Sequence, residues 1–315
     1  MSSILFLGYS NLVKRRILPI VQAAGFDNIY VAKYSGQSWD VDLPDFVTHF
    51  DSLEEGIEKY QGSLVYISIV NSRHVEYAKK CFEARLHTII DKPATLSLSE
   101  AECLIELAKS KNLLLAESTV YLEHPQMEVI QQIFKENDDS PKLITMHFSM
   151  PPFIGDNFRY HKDLGGGAIN DTAPYVASLG RYFFKAVPVE VRTSINERQK
   201  DGLEIEYSTI LKYADGKCLL AHAGFNTEYI NQALVMGRRT NILVNRIFTI
   251  PDTMENVLRI THENVESQRV APKGNTFSLF LQRIHKALCE QSYEPFYQSL
   301  LMDAKTREMI QNSII

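Results

Sequence analysis

Residues 86–119 read LHTIIDKPATLSLSEAECLIELAKSKNLLLAEST, and this stretch decides the fold. It opens and closes with short runs, LHTII and LLLAEST, that are apolar on both faces, as strands of a helix-covered parallel sheet are. Between them, Ser97 and Glu100 have the spacing of a helix N-terminal capping box, which predicts a helix over the following residues. Strand, helix and strand with short connections predict a right-handed βαβ unit.

The same alternation extends back to the N-terminus. The runs ILFLG, NIYVAKY and LVYISIV predict three more strands. Helices are predicted over NLVKRRILPIVQAAGF, where Pro19 should kink or divide the helix, and over DSLEEGIEKY, where Asp51 and Glu54 have the capping-box spacing. Residues 1–122 are therefore expected to form a Rossmann-type, doubly wound parallel sheet that binds a dinucleotide.

After about residue 122 the pattern changes to longer strands with few helices between them. Asp215-Gly216, within KYADGKC, is a strong signal for a hairpin turn. One helix, GGGAINDTAPYVASLGRYFF, interrupts the strands, and two helical segments follow from about Thr276. Residues 123–315 are therefore expected to form an α+β domain with a largely antiparallel open sheet.

Composition narrows the possible partners. The chain has 315 residues, 45% of them hydrophobic, and a formal net charge of −5. Without a basic field, nucleic acid and anionic membrane are not expected partners. No apolar stretch approaches the roughly 20 residues needed to span a bilayer, and the N-terminus lacks the features of a signal peptide, so a cytoplasmic location is expected.

Cysteine and histidine spacing gives no sign of a metal site. The four cysteines are far apart and form no CxxC pair, so they are expected to be buried, reduced thiols. No HExxH motif or Cys/His cluster is present. We therefore expect no metal.

The turn after the first strand is a candidate phosphate-binding turn. Only Gly8, the first glycine of a G-x-G-x-x-G fingerprint, is present, and an ordinary strand-to-helix turn would have the same sequence. Its position on the first strand of a βαβ unit favours cofactor binding, and the expected contacts are Gly8, Ser10, Asn11 and Leu12.

The end of the second strand indicates which dinucleotide is bound. NAD sites need a carboxylate there for the ribose 2′-hydroxyl, but this chain has Lys33, Tyr34 and Ser35. Lys33 and Ser35 suit a 2′-phosphate, and Tyr34 could cover the adenine. NADP(H) is therefore favoured, with NAD(H) possible, unless these are only exposed loop residues.

Four motifs occur in order along the chain. They are Asn71-Ser72-Arg73-His74, Asp91-Lys92-Pro93, Glu117 with His124-Pro125-Gln126, and Gly165-Gly166-Gly167 followed by Asp171 and Tyr175. Together they resemble the N-x-x-H, E-K-P, E-x-x-x-x-x-x-H-P-Q and G-G-G-x-x-x-D-x-x-x-H/Y motifs of the glucose–fructose oxidoreductase and inositol dehydrogenase (Gfo/Idh/MocA) family. The chain looks most like the family's nucleotide-sugar 3-ketoreductases, although Asp91 replaces the usual glutamate.

The resemblance implies roles for these residues. Asn71, His74, Asp91 and Lys92 would contact the cofactor. Tyr175 would donate the proton, Lys92 would polarise the substrate carbonyl and lower the pKa of the Tyr175 phenol, and Asp171 would position a substrate hydroxyl or hold Lys92. From the residues alone, Lys92 could instead be a solvated cation and Tyr175 a core residue.

Two further residues are candidates for substrate binding. Arg159 and Tyr160, in NFRY, could bind a substrate diphosphate or line the pocket, or could only pack the loop.

The favoured function is an NADP-dependent oxidoreductase that transfers a hydride between nicotinamide and a sugar carbonyl or hydroxyl, with a nucleotide-linked ketosugar as substrate. The alternatives are a polyol or diol dehydrogenase, an imine reductase of the same fold, and a nucleotide-binding sensor without turnover. The resemblance also implies a homodimer or homotetramer that pairs through the open sheet.

Overall fold

The computed structural model describes residues 2–36, 39 and 43–315. The chain divides into two compact units. The first is Met1–Ser118 with Phe277–Leu301, and the second is Thr119–Thr276 with Met302–Ile315. The domain limits expected from the sequence, 1–122 and 123–315, remain a prediction about how the chain is organised.

The first unit is built on a six-stranded sheet in which every pairing is parallel. Its strands are β1 Ser3–Leu7, β2 Asn28–Ala32, β3 Val47–Phe50, β4 Leu64–Ile67, β5 His87–Ile90 and β6 Leu115–Glu117. The order β3-β2-β1-β4-β5-β6 changes direction between β1 and β4, which is the doubly wound arrangement predicted. We did not predict β3, because VTHF is a short edge strand without an apolar run.

The helices of this unit follow local sequence signals. Up to residue 118 they are α1 Leu53–Lys59, α2 His74–Glu83 and α3 Leu98–Lys111. The Ser97–Glu100 capping box of α3 is confirmed. The box predicted from Asp51 and Glu54 is wrong by one residue: Ser52 caps α1 by accepting from the Glu55 N–H, and the Glu55 carboxylate accepts from the Asp51 N–H at 3.0 Å. The helix predicted over NLVKRRILPIVQAAGF is shorter than expected: a π-helix, Val13–Ile17, ends before Pro19, and turns rather than a second helical piece follow it.

The second unit is built on an eight-stranded sheet in which one pairing, between β7 and β10, is parallel and the others are antiparallel. Its strands are β7 Leu143–Ser149, β8 Glu190–Arg198, β9 Glu204–Lys212, β10 Cys218–Gly224, β11 Ile230–Met236, β12 Thr240–Asn245, β13 Asn256–His262 and β14 Val265–Ala271. The predicted hairpin at Asp215-Gly216 joins β9 to β10, and both residues have positive φ. This confirms the largely antiparallel sheet.

In the part of the chain that the structure describes, helix packs on one face of this sheet and not on the other. Helices α4 Pro125–Glu136 and α5 Ala168–Phe184 belong to the second unit, α6 Thr276–Glu290 lies in the first unit from Phe277 onward, and α7 Glu294–Asn312 is divided between the two. Helix α5 packs against β9 and β10. Along β7, Ile144, Met146 and Phe148 are buried while the residues between them are half-buried, so the core lies on the α5 side.

All four cysteines are free thiols. Cys81 is buried and Cys218 is half-buried, but Cys103 and Cys289 are exposed. The expectation that all four are buried is therefore wrong for the two that lie on the exposed faces of α3 and α6.

Candidate functional site

The turn after β1 is closed by a glycine that no other residue could replace without rearrangement. Gly8 has φ +100°, and a Cβ built on it would lie 2.2 Å from the Ser68 carbonyl oxygen. Its N–H donates to the Ala32 carbonyl at 2.8 Å. The Ser10 hydroxyl accepts from the Val13 N–H at 3.1 Å and lies 2.7 Å from the Ser68 hydroxyl, so Ser10 shapes the turn. Asn11 is exposed and Leu12 half-buried, which leaves both able to face a ligand.

At the end of β2, Lys33 is paired with an acid that directly follows β3. Its ammonium lies 3.3 Å from the exposed Asp51 carboxylate, and its side chain is only 10% accessible. Trp39 donates from Nε1 to the same carboxylate at 3.1 Å, and the hydrogen bonds from Trp39 and Lys33 lower the pKa of Asp51. No acid lies on β2 itself, as expected, but the sequence did not reveal that Asp51 would face Lys33. The two other residues predicted here differ in exposure, Tyr34 being half-buried and Ser35 exposed.

Aromatic rings and a second cation adjoin this ion pair. The Tyr9 and Trp39 ring centroids are 5.5 Å apart, and the Lys14 ammonium lies 4.5 Å from the centroid of Tyr9. Cations and aromatic faces suit a phosphate and a purine ring, respectively. The residues at the ends of β1 and β2 therefore fit the adenosine phosphate part of a dinucleotide.

His74, which stays predicted as a cofactor contact, is completely buried at the start of α2. Its Nδ1 lies 2.9 Å from the Pro93 carbonyl oxygen and its Nε2 3.1 Å from that of Ile69. Burial lowers the pKa of His74, while the two carbonyls oppose this effect. His74 therefore contacts the backbone of the turn that carries Lys92. Asn71, in the 3-10 turn before it, is also buried.

The turn that carries Lys92 is fixed on both sides by buried polar groups. Asp91 accepts hydrogen bonds from Tyr66 at 2.6 Å, from Ser118 at 3.2 Å and from Ser68. Burial and the nearby Asp91 carboxylate raise the pKa of Tyr66, which keeps its phenol a donor. On the other side, Glu117 accepts from the Ala94 N–H at 2.7 Å. Lys92 itself is half-buried, and the Lys92–Pro93 bond is cis.

In the second unit, the triple-glycine turn seats the segment that carries Arg159. A Cβ on Gly166 would lie 2.6 Å from the Arg159 carbonyl oxygen and 2.7 Å from that of Phe158. The Gly167 N–H donates to the Arg159 carbonyl at 2.8 Å. The glycines therefore let a 3-10 turn, Phe158–Tyr160, approach the N-terminus of α5.

The close approach of this turn to α5 brings the Arg159 guanidinium into contact with the Asp171 carboxylate. The Arg159 Nε lies 3.0 Å from Asp171 Oδ2, and the two side chains are 26% and 7% accessible. The guanidinium also covers the rings of Phe153 and Phe158, at 4.9 and 4.7 Å from their centroids. Burial opposes the charge of Arg159, but Asp171 outweighs it and raises the pKa of Arg159. The structure pairs the Arg159 cation with Asp171, and a role for Arg159 in binding a substrate diphosphate or lining the pocket stays a prediction.

Tyr175 lies one helical turn beyond Asp171 and is half-buried among aromatic rings. Its ring centroid is 4.9 Å from Phe148, 5.0 Å from Phe248 and 5.6 Å from Tyr121. These rings form an apolar wall around the phenol on the side of the helix that bears Asp171. Sequence reasoning did not identify Phe148 and Phe248, because they come from β7 and from the segment after β12.

The other predicted substrate residue, Tyr160, has a structural contact. Its hydroxyl accepts from the Phe153 N–H at 3.0 Å, so it braces the loop that follows β7.

Lys92 belongs to the first unit, whereas Asp171 and Tyr175 belong to the second. Their convergence on one substrate remains a prediction.

Among residues 2–36, 39 and 43–315, no three His, Cys, Asp or Glu side chains are grouped as metal ligands would be. Within the same ranges, no helix has the length and hydropathy needed to cross a membrane.

Comparison with known proteins matches both units of this architecture. Residues 4–119 match the sequence model described as an oxidoreductase family with an NAD-binding Rossmann fold, and residues 140–243 match that of the GFO/IDH/MocA C-terminal domain. A dTDP-3,4-didehydro-2,6-dideoxy-alpha-D-glucose 3-reductase from Saccharopolyspora spinosa is 30% identical over 69% of this chain and 65% of its own length, just under two thirds. An enzyme of the same description from Actinomadura kijaniata is 25% identical over 95% of this chain and 92% of its own length.

A solved structure has the same fold. It is a 3-ketoreductase from Actinomadura kijaniata in complex with NADP and TDP-benzene, with a TM-score of 0.93 over 99% of this chain and 98% of that chain. Its sequence identity to this chain is 22%, so this likeness concerns the fold alone.

Proposed function

This chain belongs to the GFO/IDH/MocA oxidoreductase family, and we propose that it is an NADP(H)-dependent reductase of a ketone on a nucleotide-linked sugar. The two relatives described above are named as 3-reductases of a dTDP-linked didehydro sugar, and the solved neighbour holds NADP and TDP-benzene. The single observation that carries the proposal is the pairing of Arg159 with Asp171 next to a half-buried Tyr175 in an aromatic wall.

NADP(H) is the proposed cofactor because the residues at the end of β2 suit a 2′-phosphate. Lys33 supplies a nearly buried ammonium at that point, and no residue of β2 supplies a carboxylate for a ribose hydroxyl. Asp51 now neutralises Lys33 and would have to share it with the phosphate. Gly8, Asn11 and Leu12 would contact the pyrophosphate through the turn after β1.

When bound, the cofactor supplies the hydride. We assign Tyr175 the proton that the reduced oxygen needs, since a phenol can donate one and this ring lies within an apolar wall. Lys92 is assigned to polarise the substrate carbonyl, because its turn is fixed by Asp91 and Glu117. Asp171, which pairs with Arg159, is assigned to hold a substrate hydroxyl or the Lys92 ammonium.

The proposal is tested by titrating the protein with NADPH and NADP⁺ and then measuring turnover on a panel of carbonyl substrates that includes TDP-linked ketosugars. Lys92→Met is expected to lose at least about 100-fold in kcat while NADPH affinity is retained. Lys111→Met, which removes an ammonium from the last turn of α3, is the matched control and should keep full activity. Absence of NADPH binding would rule out the enzyme, and binding without turnover would favour a sensor.

We also propose that two copies pair through the uncovered face of the eight-stranded sheet. That face carries a cavity of about 460 Å³ lined by Thr145, His147, Ser208, Ile210 and His222 among others, and Ile210 is 40% exposed. Ile210→Glu should shift the protein to monomer in sedimentation experiments. A wild-type protein that is already monomeric at high concentration would refute the pairing. A cytoplasmic location remains a prediction from the sequence.

A further inference from the structure

A polar and aromatic cluster lies where β11 begins and β12 ends. It consists of Tyr229, Asn231, Arg246 and Thr249, and is called here the Arg246 cluster. The Asn231 amide nitrogen donates to the Tyr229 hydroxyl at 3.1 Å and to the Thr249 hydroxyl at 2.7 Å, and the two hydroxyls are 2.8 Å apart. Asn231 is 5% exposed and Tyr229 37%. A buried amide therefore fixes an aromatic ring that faces solvent.

The cation of this cluster is the guanidinium of Arg246. Arg246 is half-buried, and in the part of the chain that the structure describes it takes part in no ion pair. Its guanidinium carbon lies 5.5 Å from the centroid of the Tyr229 ring. By contrast, Arg159 and Arg181 are each paired with a nearly buried aspartate. Arg246 thus presents a positive charge beside an aromatic face, which matches a phosphate next to a planar base.

The Arg246 cluster adjoins the wall around Tyr175. The Phe248 N–H donates to the Asn231 side-chain oxygen at 3.1 Å, and the Phe248 ring is 5.0 Å from that of Tyr175. Alternate residues of a strand point to the same face of a sheet. Tyr229, just before β11, therefore shares a face with Asn231 and Ala233, which are buried on the covered face. A ligand whose reacting end lies at Tyr175 would therefore extend toward Arg246 along the same face.

We infer that the Arg246 cluster binds the nucleoside diphosphate of the substrate, with Arg246 on the phosphates and the Tyr229 ring against the base. The inference rests on the proposed function and names the residues that would select a nucleotide-linked sugar over a free one. A guanidinium binds phosphate oxygens through paired hydrogen bonds, and a fixed ring stacks on a base without an entropic loss of its own. Arg159, by contrast, is already paired with Asp171.

Calorimetric titration of NADP⁺-saturated protein with thymidine diphosphate tests the inference. Wild type should bind, Arg246→Met should bind at least about tenfold more weakly, and Tyr229→Leu should lose several-fold. Arg246→Lys, which keeps the charge, should recover part of the loss. The matched control is Arg238→Met, which removes the same charge at the opposite hairpin tip, about 20 Å away along β12. It should leave affinity unchanged.

Several outcomes overturn the inference. One is that Arg246→Met binds thymidine diphosphate as tightly as wild type does, while the variant keeps the wild-type melting temperature and NADP⁺ affinity. Another is wild type that reduces carbonyl substrates with NADPH but does not bind thymidine diphosphate. A wild type that fails to bind NADPH refutes the proposed function itself, and that result is visible before any variant is compared. If Arg246→Met does not fold, the test rests on Tyr229→Leu. The inference is then overturned if Tyr229→Leu and wild type bind thymidine diphosphate with equal affinity.

Discussion

His124 should make the second unit sensitive to mild acid. It is 1% exposed and caps α4, with its Nδ1 accepting from the Gln126 N–H at 3.1 Å. Nδ1 is therefore unprotonated, and the proton must be on Nε2, for which the described residues offer no acceptor. Burial lowers the pKa of His124 from 6.5 to about 4. A second proton would charge a buried ring and remove the cap.

The size of the effect follows from linkage. The unfolded chain takes up this proton near pH 6.5 and the folded chain only near pH 4, so stability is lost as pH falls through that interval. Between pH 7 and pH 5 the loss attributable to His124 is about 2 kcal/mol, and it approaches about 3 kcal/mol below pH 4. Other buried histidines add to the total, so the variant must be compared with wild type at each pH.

The variant of choice is His124→Asn, because asparagine keeps a helix-capping oxygen but does not titrate. Urea unfolding followed by far-UV circular dichroism at pH 7 and pH 5 measures the difference. The variant should lose about 2 kcal/mol less than wild type over this interval, and His285→Asn, at an exposed site on α6, should match wild type. An unchanged pH dependence in His124→Asn would refute the reasoning.

Three further perturbations test other parts of the structure. Four backbone N–H groups, from Ser140, Arg238, Arg239 and Thr240, overcome the burial of Asp139 and lower its pKa to about 2. Asp139→Asn should lower the free energy of unfolding, measured with urea at pH 7, by about 2 kcal/mol, and this difference should vanish as pH falls from about 4 to 2. Equal free energies of unfolding for the variant and wild type at pH 7 would contradict this. Gly166→Ala should displace the Arg159 turn and reduce kcat, since its Cβ would lie 2.6 Å from a carbonyl oxygen; normal turnover would show that the close approach is not needed. Lys33→Ala should weaken NADPH but not NADH in fluorescence titrations, and Asp51→Asn should strengthen NADPH; parallel changes for both cofactors would exclude a 2′-phosphate role.

Much of the fold follows from local sequence signals. The doubly apolar runs predicted β1, β2, β4, β5 and β6, because burial on both faces leaves a continuous apolar pattern. The Ser97–Glu100 box and the Asp215-Gly216 turn were predictable because their hydrogen bonds join residues close in sequence. β3 was not predictable in this way, since an edge strand four residues long buries too little to show a pattern.

The candidate site was predictable in composition but not in its pairings. Asp171 and Tyr175 could be placed on one helix face from their spacing alone. The partner of Asp171, by contrast, depends on how a loop docks against the triple glycine, and the Asp51–Lys33 pair joins two strands. The Arg246 cluster brings together the ends of β11 and β12. Such contacts depend on tertiary packing, which no local motif specifies.

The central claim is that Tyr175 donates the proton during reduction of a ketone by NADPH. Single-turnover oxidation of bound NADPH by a TDP-linked ketosugar tests it most directly, with Tyr175→Phe compared against Tyr182→Phe, a half-buried tyrosine on the same helix. The Tyr175 variant should react at least about 100-fold more slowly with unchanged NADPH affinity, and the Tyr182 variant at the wild-type rate. Wild-type single-turnover rates in Tyr175→Phe would contradict the account.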